Sequence, residues 1–437
     1  VGLTTIEVGI GSRSVVDVQM ASDFTQLNEV VVTDSYQSIK RAELSGAVGS
    51  VGGKVIENLP IPSLDRALQG RIAGVQINSS NGIPGGNTQV RIRGVGSISG
   101  SNEPLYIVDG VQITAGDRSR RIISSNVLNG INANDIENIE VLKDAAAASI
   151  YGAQAANGVV IITTKKGKSG AVKFNANYYF GTSNVIKKQP LINSKQWMDL
   201  YEEGQANFYQ PFNSIFGEGY NTEMADLVTE VNYGNSDVAN TYDWQDLVTR
   251  NGIINNFDFS ASGGNEKNRF FVSASINKQE AQFIATDFTR STFKVNYDNQ
   301  LTKKLSSTLQ LNMSVVKQNT QGVGGFNTNN ALVGAIGRLT MANPYLSNGQ
   351  VNPNLTYAIG PLGNLSNPLW LAQVNPQQGS TKQLLGNYAV NYAINNDLTF
   401  KSAFAIEYTN IDEWAFFDSR SPGGAGVGGS AQMLNTR

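Results

Sequence analysis

The sequence predicts a mainly β protein in which long antiparallel strands follow a mixed α+β segment. After residue 171, stretches of about ten residues place apolar and polar side chains at alternating positions. Shorter apolar runs and two short helical patterns precede them, between residues 46 and 168. Glycine is abundant at 45 residues and proline is restricted to 12, which suits short strands joined by polar loops.

The composition excludes several classes of function. The chain has 437 residues, a formal net charge of -2, and neither histidine nor cysteine. Disulfides, thiol nucleophiles, histidine bases and nearly all zinc or copper sites are therefore excluded. A carboxylate or Ser–Lys mechanism stays open, but we predict no enzyme, no cofactor and no metal. Nucleic-acid binding is not expected either, because it needs a clustered basic face.

No apolar run reaches the roughly 18 residues of a membrane-spanning helix. The opening residues, VGLTTIEVG, lack the basic and apolar regions of a secretory leader. The chain is thus either cytosolic or a mature sequence whose leader is not shown, and the later segments favour the second interpretation. A closed β-barrel also satisfies every backbone group in lipid, so a membrane location stays open.

The N-terminal residues predict a fragment of a sandwich followed by a linker. Two short alternating runs, Thr5–Val8 and Val15–Met20, are typical of the last strands of a small β-sandwich. Residues 25–45 are polar apart from Val30–Val32. Because its flanks are polar, we interpret this valine run as an extended linker segment rather than a core strand.

The segment from residue 46 to 168 predicts two helices and five strands. One helix spans Leu64–Gln69 with Ser63 as its N-cap, and the other spans Asp144–Tyr151 and stops at Gly152. The predicted strands are Val75–Ser79, Gln89–Arg93, Leu105–Val108, Ile136–Leu142 and Val159–Thr164.

The later strands predict a membrane barrel. In the hairpin 384–409, Tyr388, Tyr392 and Phe404 share an apolar face, and Asn395–Asp397 turns the chain. Long strands, short turns at one end and long loops at the other are typical of outer-membrane barrels, although a soluble sandwich shares the alternation. In the long loop 182–252, we predict a short capped helix at Ser194–Gly204.

We count seven or eight such strands, whereas plugged outer-membrane transporters have about 22. A partial barrel leaves unpaired strand edges in lipid. We therefore expect the chain to be incomplete, or to pair with strands not present in it.

Three motifs occur in a fixed order. LNEVVVT lies at residues 27–33; VRIRG at 90–94 precedes SNEPLYIVDGV at 101–111; and residues 136–167 read IENIEVLKDAAAASIYGAQAANGVVIITTKKG. In this order they resemble the TonB box and plug signatures of the SusC/RagA family of TonB-dependent outer-membrane transporters. The resemblance is dense from residue 1 to about 181 and becomes general barrel character beyond it.

The resemblance implies a domain order. Residues 1–24 would end a carboxypeptidase-regulatory-like sandwich, 25–45 would be a linker with the TonB box, 46–168 a plug, and 169–437 the first part of the barrel. The plug lies inside the barrel in this family.

The resemblance also implies site residues. A short extended β-branched segment can add as a strand to a partner's sheet. The predicted TonB-binding residues are Glu29, Val30, Val31, Val32 and Thr33. The predicted plug-motif residues are Arg91, Arg93, Gly94, Pro104, Asp109, Gly110, Lys143, Asp144, Tyr151, Gly152, Asn157 and Gly158. Gly94, Gly110, Gly152 and Gly158 fit turns with positive φ, and we expect Arg91 and Arg93, alternating on one strand, to pair with plug or barrel carboxylates.

The function implied is TonB-driven import of an oligosaccharide or oligopeptide across the outer membrane of a Gram-negative bacterium of the Bacteroidota. The expected partners are TonB with ExbB and ExbD, a SusD-like surface lipoprotein, the ligand and outer-membrane lipid. Two alternatives stay open: a non-transporting member of a secretion, adhesion or motility assembly, and a soluble carbohydrate-binding or adhesin β-protein. No ligand site is predicted, since the loop aromatics suit packing as well as sugar stacking: Trp197, Tyr209, Tyr220 and Trp244.

Overall fold

The computed structural model describes most of the chain after residue 46. The described residues are 2–3, 22–23, 30–33, 37–40, 47–57, 59, 63–79, 82–113, 126–144, 148–216, 240–321, 331–353, 367–421 and 424–436. Two sheets dominate them, one of five strands and one of eight. This arrangement confirms the predicted mainly β class, with a mixed segment preceding long antiparallel strands.

Two small strand pairs lie near the N-terminus. β1 (Gly2–Leu3) pairs with β2 (Ser22–Asp23), and β3 (Val30–Thr33) pairs with β4 (Gln37–Lys40), both antiparallel. The runs predicted at residues 5–8 and 15–20 lie outside the described residues, so the sandwich stays a prediction.

The five-stranded sheet belongs to a segment that we call the plug, residues 47–168. Its strands are β5 (Val48–Gly52), β8 (Leu105–Val108), β9 (Val111–Ile113), β10 (Ile136–Leu142) and β11 (Val159–Thr164). The spatial order is β5-β10-β11-β8-β9, with β11 and β8 parallel and the other pairs antiparallel. A separate hairpin joins β6 (Val75–Ser79) to β7 (Thr88–Ile92).

The middle strands of the plug sheet are apolar because both of their faces are buried. Tyr106 and Val108 of β8 pack into one core cluster, whereas Leu105 and Ile107 pack into another on the opposite face. The continuous apolar run of β8 therefore follows from its central place in the sheet.

The short helices of the plug differ from the predictions. α1 (Gly53–Ile56) was not predicted, and α2 (Leu64–Leu68) starts after Ser63, whose side chain makes no capping bond. Residues 145–147 of the predicted helix 144–151 lie outside the described residues, and residues 149–151 form a 3-10 turn rather than an α-helix. Gly152, the predicted stop, has non-helical angles and ends this turn, and a second short 3-10 segment continues to Ala155.

The eight-stranded sheet, which we call the wall, follows the plug. Its strands are β12 (Gly170–Ser183), β13 (Gly252–Gly264), β14 (Asn268–Glu280), β15 (Asp287–Gln300), β16 (Leu305–Thr320), β17 (Gln377–Ala393), β18 (Thr399–Phe417) and β19 (Ser430–Thr436). They pair antiparallel in sequence order, β12 to β19.

The alternation along the wall strands produces two unlike faces. One row across six strands is Phe259, Ala274, Phe293, Met313, Leu384 and Tyr408, and the next row is Asp258, Ser275, Thr292, Ser314, Gln383 and Thr409. The aromatic side chains of the first row are exposed on the outer surface. The members of the second row are all buried, because they face the plug.

The helices outside the plug lie in the long connections between wall strands. They are α3 (Ser194–Phe216), α4 (Trp244–Val248), α5 (Ala331–Ile336) and α6 (Pro368–Val374). The helix predicted at 194–204 extends to Phe216. Its cap is Asn193, which exchanges bonds of 2.8 and 3.0 Å with Gln196 in a capping box.

Candidate functional site

The first ion pair of the plug motif joins Arg91 to Glu103. Arg91 lies on β7, and its Nη1 is 2.6 Å from Oε1 of Glu103, with both side chains mostly buried. The same carboxylate accepts a bond from the backbone N–H of Val90 at 3.3 Å. Glu103 therefore holds the loop 94–103 back against the strand from which it leaves, and the partner of Arg91 is a plug carboxylate.

The second pair joins Arg93 to Asp144 at the start of the plug. Arg93 lies beyond β7, which ends at Ile92, and has φ of 58°, so the two arginines do not alternate along one strand as predicted. Asp144 accepts bonds from Arg93 and from the backbone N–H of Ala47, which together lower the pKa of this carboxyl. Lys143 donates to the carbonyl of Ala73 at 2.9 Å. The bond between Ala47 and Asp144 connects the end of β10 to the residue that precedes β5.

The glycines of the motif have the predicted backbone angles. The φ values are 102° at Gly94, 85° at Gly110, 68° at Gly152 and 90° at Gly158. At Gly158 the space is also limiting, since a Cβ would lie 2.9 Å from the carbonyl oxygen of Leu142 and 2.8 Å from Cδ1 of Ile92. An L-residue there would be strained in its backbone and would clash with two strands.

The remaining motif residues brace the start of β8. Asn157 donates from Nδ2 to the carbonyl of Ser101 at 2.8 Å, and Pro104 is buried directly before the strand. Tyr151 is buried in the cluster formed by Leu105 and its neighbours. These contacts hold the 3-10 segment against the loop that enters β8.

Asp109 is the motif residue that attaches the plug to the wall. It occupies the turn between β8 and β9 with φ of 49°, and its carboxylate accepts bonds from Nζ of Lys294 (2.8 Å), Oγ1 of Thr164 (2.6 Å) and N of Thr164 (2.9 Å). The Asp109 and Lys294 side chains are only 5% and 1% exposed. Burial raises the pKa of Asp109, but Lys294 and Thr164 outweigh it and the pKa is lowered.

Further hydrogen bonds join the wall to the plug, donated by amide side chains and by the guanidinium of Arg290. Most of these donors bind backbone carbonyl oxygens of the plug. They therefore depend on the course of its backbone rather than on the identity of its side chains. The bonds run from Asn387 to Asp109 (2.8 Å), Asn296 to Lys165 (2.6 Å), Arg290 to Ile131 (3.2 Å), Asn312 to Gly130 (3.4 Å) and Gln318 to Pro84 (3.0 Å). In the opposite direction, Asn132 and Asn134 of the plug donate to Asp258 of the wall at 2.7 and 2.8 Å.

The predicted TonB-binding segment is extended. Val30–Thr33 forms β3, and Val31 pairs with Ile39 of β4 in a short hairpin. Glu29 lies outside the described residues. The structure thus gives the segment a strand conformation, and its binding role stays a prediction.

Comparison with known proteins agrees with this geometry. The family model of the TonB-dependent receptor plug domain matches residues 40–159. The chain is 30% identical over its whole length to TonB-dependent receptor P26 of Formosa agariphila, and 28% identical over 88% of its length to TonB-dependent receptor SusC of Bacteroides thetaiotaomicron. A structure of the RagAB peptide importer in its 'open-open' state covers 90% of this chain with a TM-score of 0.72 and 25% identity. The chain belongs to the SusC/RagA-type TonB-dependent receptors.

The chain spans 41% of the P26 receptor, 37% of SusC and 44% of the RagAB chain. TonB-dependent receptors are outer-membrane β-barrel proteins. The apolar outer face and the plug-binding inner face of the wall are the two surfaces that such a barrel requires.

Two buried carboxyls of the receptor were not predicted from the sequence. Burial raises the pKa of Asp65 to about 7, although the hydrogen bond from Asn126 lowers it. Burial likewise raises the pKa of Asp135 to about 6. The sequence around these two residues gives little indication that they are buried. Each is a single Asp near other polar residues, and residues distant in the chain bury it.

The loop aromatics of the receptor serve packing where they are described. Trp244 is buried in the cluster formed by α4, α5 and α6, and its Nε1 donates to the carbonyl of Leu339 at 3.1 Å. Trp197 stacks on Tyr201 with ring centroids 5.1 Å apart. The Tyr209 side chain and Tyr220 lie outside the described residues.

Among the described residues, no group of three or more carboxylates is placed to hold a metal ion. No helix in the described part of the receptor is both long enough and apolar enough to cross a membrane.

Proposed function

We propose that this receptor imports a nutrient, an oligosaccharide or an oligopeptide, across the outer membrane of a Gram-negative bacterium of the Bacteroidota. The main support is the order of three features along the chain: an extended β-branched segment, a plug, and a wall whose polar face binds the plug. The likeness to SusC and to the RagAB peptide importer supports this function. RagAB is a peptide importer, whereas the name of SusC specifies no cargo, so both cargo classes stay in the proposal.

The energy would come from TonB, acting with ExbB and ExbD on the segment around Val30–Thr33. Strand addition uses main-chain hydrogen bonds, and a β-branched segment is suited to it. β4 pairs with one edge of β3, so TonB would add to the other edge.

A pull on this segment would reach the plug through Ala47 and β5. β5 is the edge strand of the plug sheet, and its first residue, Val48, pairs with Leu142 at the end of β10. Force applied at this end opens an antiparallel ladder one residue pair at a time. The bonds of Asp144 to Ala47 and Arg93 lie at the start of this path and would break first.

The Asp109–Lys294 pair lies at the opposite side of the sheet order, next to β9. The plug sheet can therefore begin to open at β5 while this buried pair stays intact. We propose that ligand binds on the extracellular side, beneath a SusD-like surface lipoprotein, and that partial opening of the plug creates the path inward.

Replacing Val31 by proline tests the role of TonB. Proline removes one backbone donor and fixes φ, so it should abolish capture of the TonB C-terminal domain and growth on the imported nutrient. Ile39→Pro is the matched control, since it disrupts the β3–β4 hairpin but leaves the box sequence intact, and it should retain capture. Normal growth and capture by Val31→Pro would contradict the proposal and would favour a role in a non-transporting assembly.

A further inference from the structure

A cleft rich in lysine opens between the plug and the first strands of the wall. Its volume is about 630 Å³, and it is lined by Lys54, Lys165, Lys166, Lys168 and Lys173 together with the carboxylates Glu57 and Glu137. We call it the lysine cleft. This volume lies within the range of about 300–1,000 Å³ typical of binding sites.

Most of the positive charge in the lysine cleft is not neutralised by the residues that the structure describes. Lys165 pairs with Glu57 at 2.9 Å. Lys54, Lys166, Lys168 and Lys173 are exposed and make no ion pair among the described residues. The cleft therefore has a positive potential that an anionic group would relieve.

The lysine cleft lies on the plug-facing side of the wall, so a ligand would reach it from the aqueous side rather than from the lipid. Lys173 pairs in register with Ser262, which pairs with the buried Phe271, so these residues belong to the plug-facing side of the wall. The nearby connection between β13 and β14 is only three residues long, 265–267. Short turns mark the periplasmic end of such barrels, so the lysine cleft opens toward the periplasm.

The spacing of two lysines favours an extended peptide. Lys166 and Lys168 flank Gly167, which is buried so closely against Phe270 that a Cβ would lie 2.3 Å from its backbone nitrogen. In extended chains, side chains two residues apart lie on one side and recur about every 6.6–6.8 Å. An extended ligand with acidic residues at alternate positions would present carboxylates at this interval to Lys166 and Lys168, which are two residues apart in the chain.

The floor of the lysine cleft suits the intervening residues of such a ligand. The surface that lines the cleft is more apolar than polar, although Ile136 and Phe271 at its base are themselves buried. We propose that the lysine cleft is a docking surface for an extended segment, with alternating acidic and apolar residues, of a periplasmic partner protein. This surface is separate from the box at Val30–Thr33 and does not depend on import.

A fluorescent hexapeptide of alternating Glu and Val tests the proposal on the full chain in detergent. It should bind, and Lys166→Gln with Lys168→Gln should weaken the affinity about tenfold, since exposed charge pairs contribute modestly each. Lys303→Gln is the matched control: this lysine is exposed in the turn 301–304 at the same end of the wall, outside the cleft, and its loss should leave the affinity unchanged.

A hexapeptide of alternating Gln and Val should not bind, and salt should weaken the acidic peptide. Several results would overturn the proposal: no binding by the unmodified chain, equal binding of the neutral peptide, or unchanged affinity in the double variant. Displacement by inorganic phosphate at concentrations similar to those of the acidic peptide would instead identify a general anion site. Retained heat-modifiable migration of each variant verifies its fold.

Discussion

Asp65 carries one of the buried carboxyls of the plug. Besides burial, the groups that shift the pKa of this carboxyl are Asn126, Glu103, Tyr106 and Arg66. Burial raises its pKa above that of an exposed aspartate, and Glu103 raises it further, while Asn126 donates the hydrogen bond that opposes this. The carboxyl is therefore partly protonated near neutral pH in the folded plug and ionised in the unfolded chain.

The stability of the plug should fall as the pH rises. The folded pKa of Asp65, about 7, lies above the unfolded value of 3.8, so the folded state holds the extra proton between them. The stabilisation is full below about pH 4 and is lost as the pH rises through 7, and a shift of this size corresponds to on the order of 4 kcal/mol. Hydrogen exchange of α2 and β6 amides, corrected for intrinsic rates, should accelerate over this range.

Asp65→Asn should remove most of this pH dependence, leaving the part due to Asp135, whose pKa is raised to about 6. Asp199→Asn, in an exposed pair on α3, is the control and should leave the profile unchanged. An identical profile in Asp65→Asn and the unmodified chain would assign the effect to other groups.

At single residues, the sequence predicts what local chemistry dictates. The motif glycines were predictable because positive φ is a local property of a turn. The partner of Asp109 was not, since Lys294 is 185 residues away. Its alternation with Phe293 and Val295 places it on the polar face, which was the available signal, but the face alone does not select one partner among many polar residues.

At the scale of elements, the attachment of β9 to the wall rests on the Asp109–Lys294 pair. Removing one partner of a buried pair leaves an uncompensated charge and costs about 3–5 kcal/mol. Asp109→Asn should therefore loosen the β8–β9 hairpin from the wall, seen as faster proteolysis and hydrogen exchange of residues 105–113. Adding Lys294→Met should restore much of the protection, because neither charge is then buried alone.

Lys382→Met provides the comparison for this pair. Lys382 and Asp412 lie 3.2 Å apart with both side chains well exposed, and such pairs contribute about 1 kcal/mol or less. If Asp109→Asn proved as mild as Lys382→Met, the buried pair would not hold the hairpin in place.

Strands were predicted more accurately than helices. The bounds of β6, β8, β10 and β11 agree with those predicted, because their apolar runs end where the chain leaves the sheet. After Asp144, residues 149–151 form a 3-10 turn rather than the expected α-helix, although the turn stops at Gly152 as predicted. Tertiary packing overrides propensity in such short segments.

At the scale of the whole molecule, the wall separates an apolar outer surface from a polar interface with the plug. Phe404 is 69% exposed midway between Phe400 and Tyr408, on the face of β18 that would contact lipid. Phe404→Arg should destabilise the folded protein in liposomes by about 2–4 kcal/mol, the cost of this side chain at the bilayer midplane. Denaturant titration of the reconstituted protein measures it.

Ile394→Arg places the same side chain at a turn, where the cost should be at most about 1 kcal/mol. Equal costs at Phe404 and Ile394 would mean that the outer face does not lie in the hydrocarbon region. Sequence alternation alone predicted this face, since period two fixes which residues share it. It did not predict how the plug sits against the opposite face, because those contacts join distant parts of the chain.

The connectivity of the two sheets implies an order of assembly. β13 to β16 follow one another through connections of three to six residues, so each strand can form by closing a small loop. In the plug, β5 joins β10 and β8 joins β11 across 50 or more residues, and such closures are slow. The four-strand meander should therefore form early, and the plug sheet should form late, on a polar surface that is already in place.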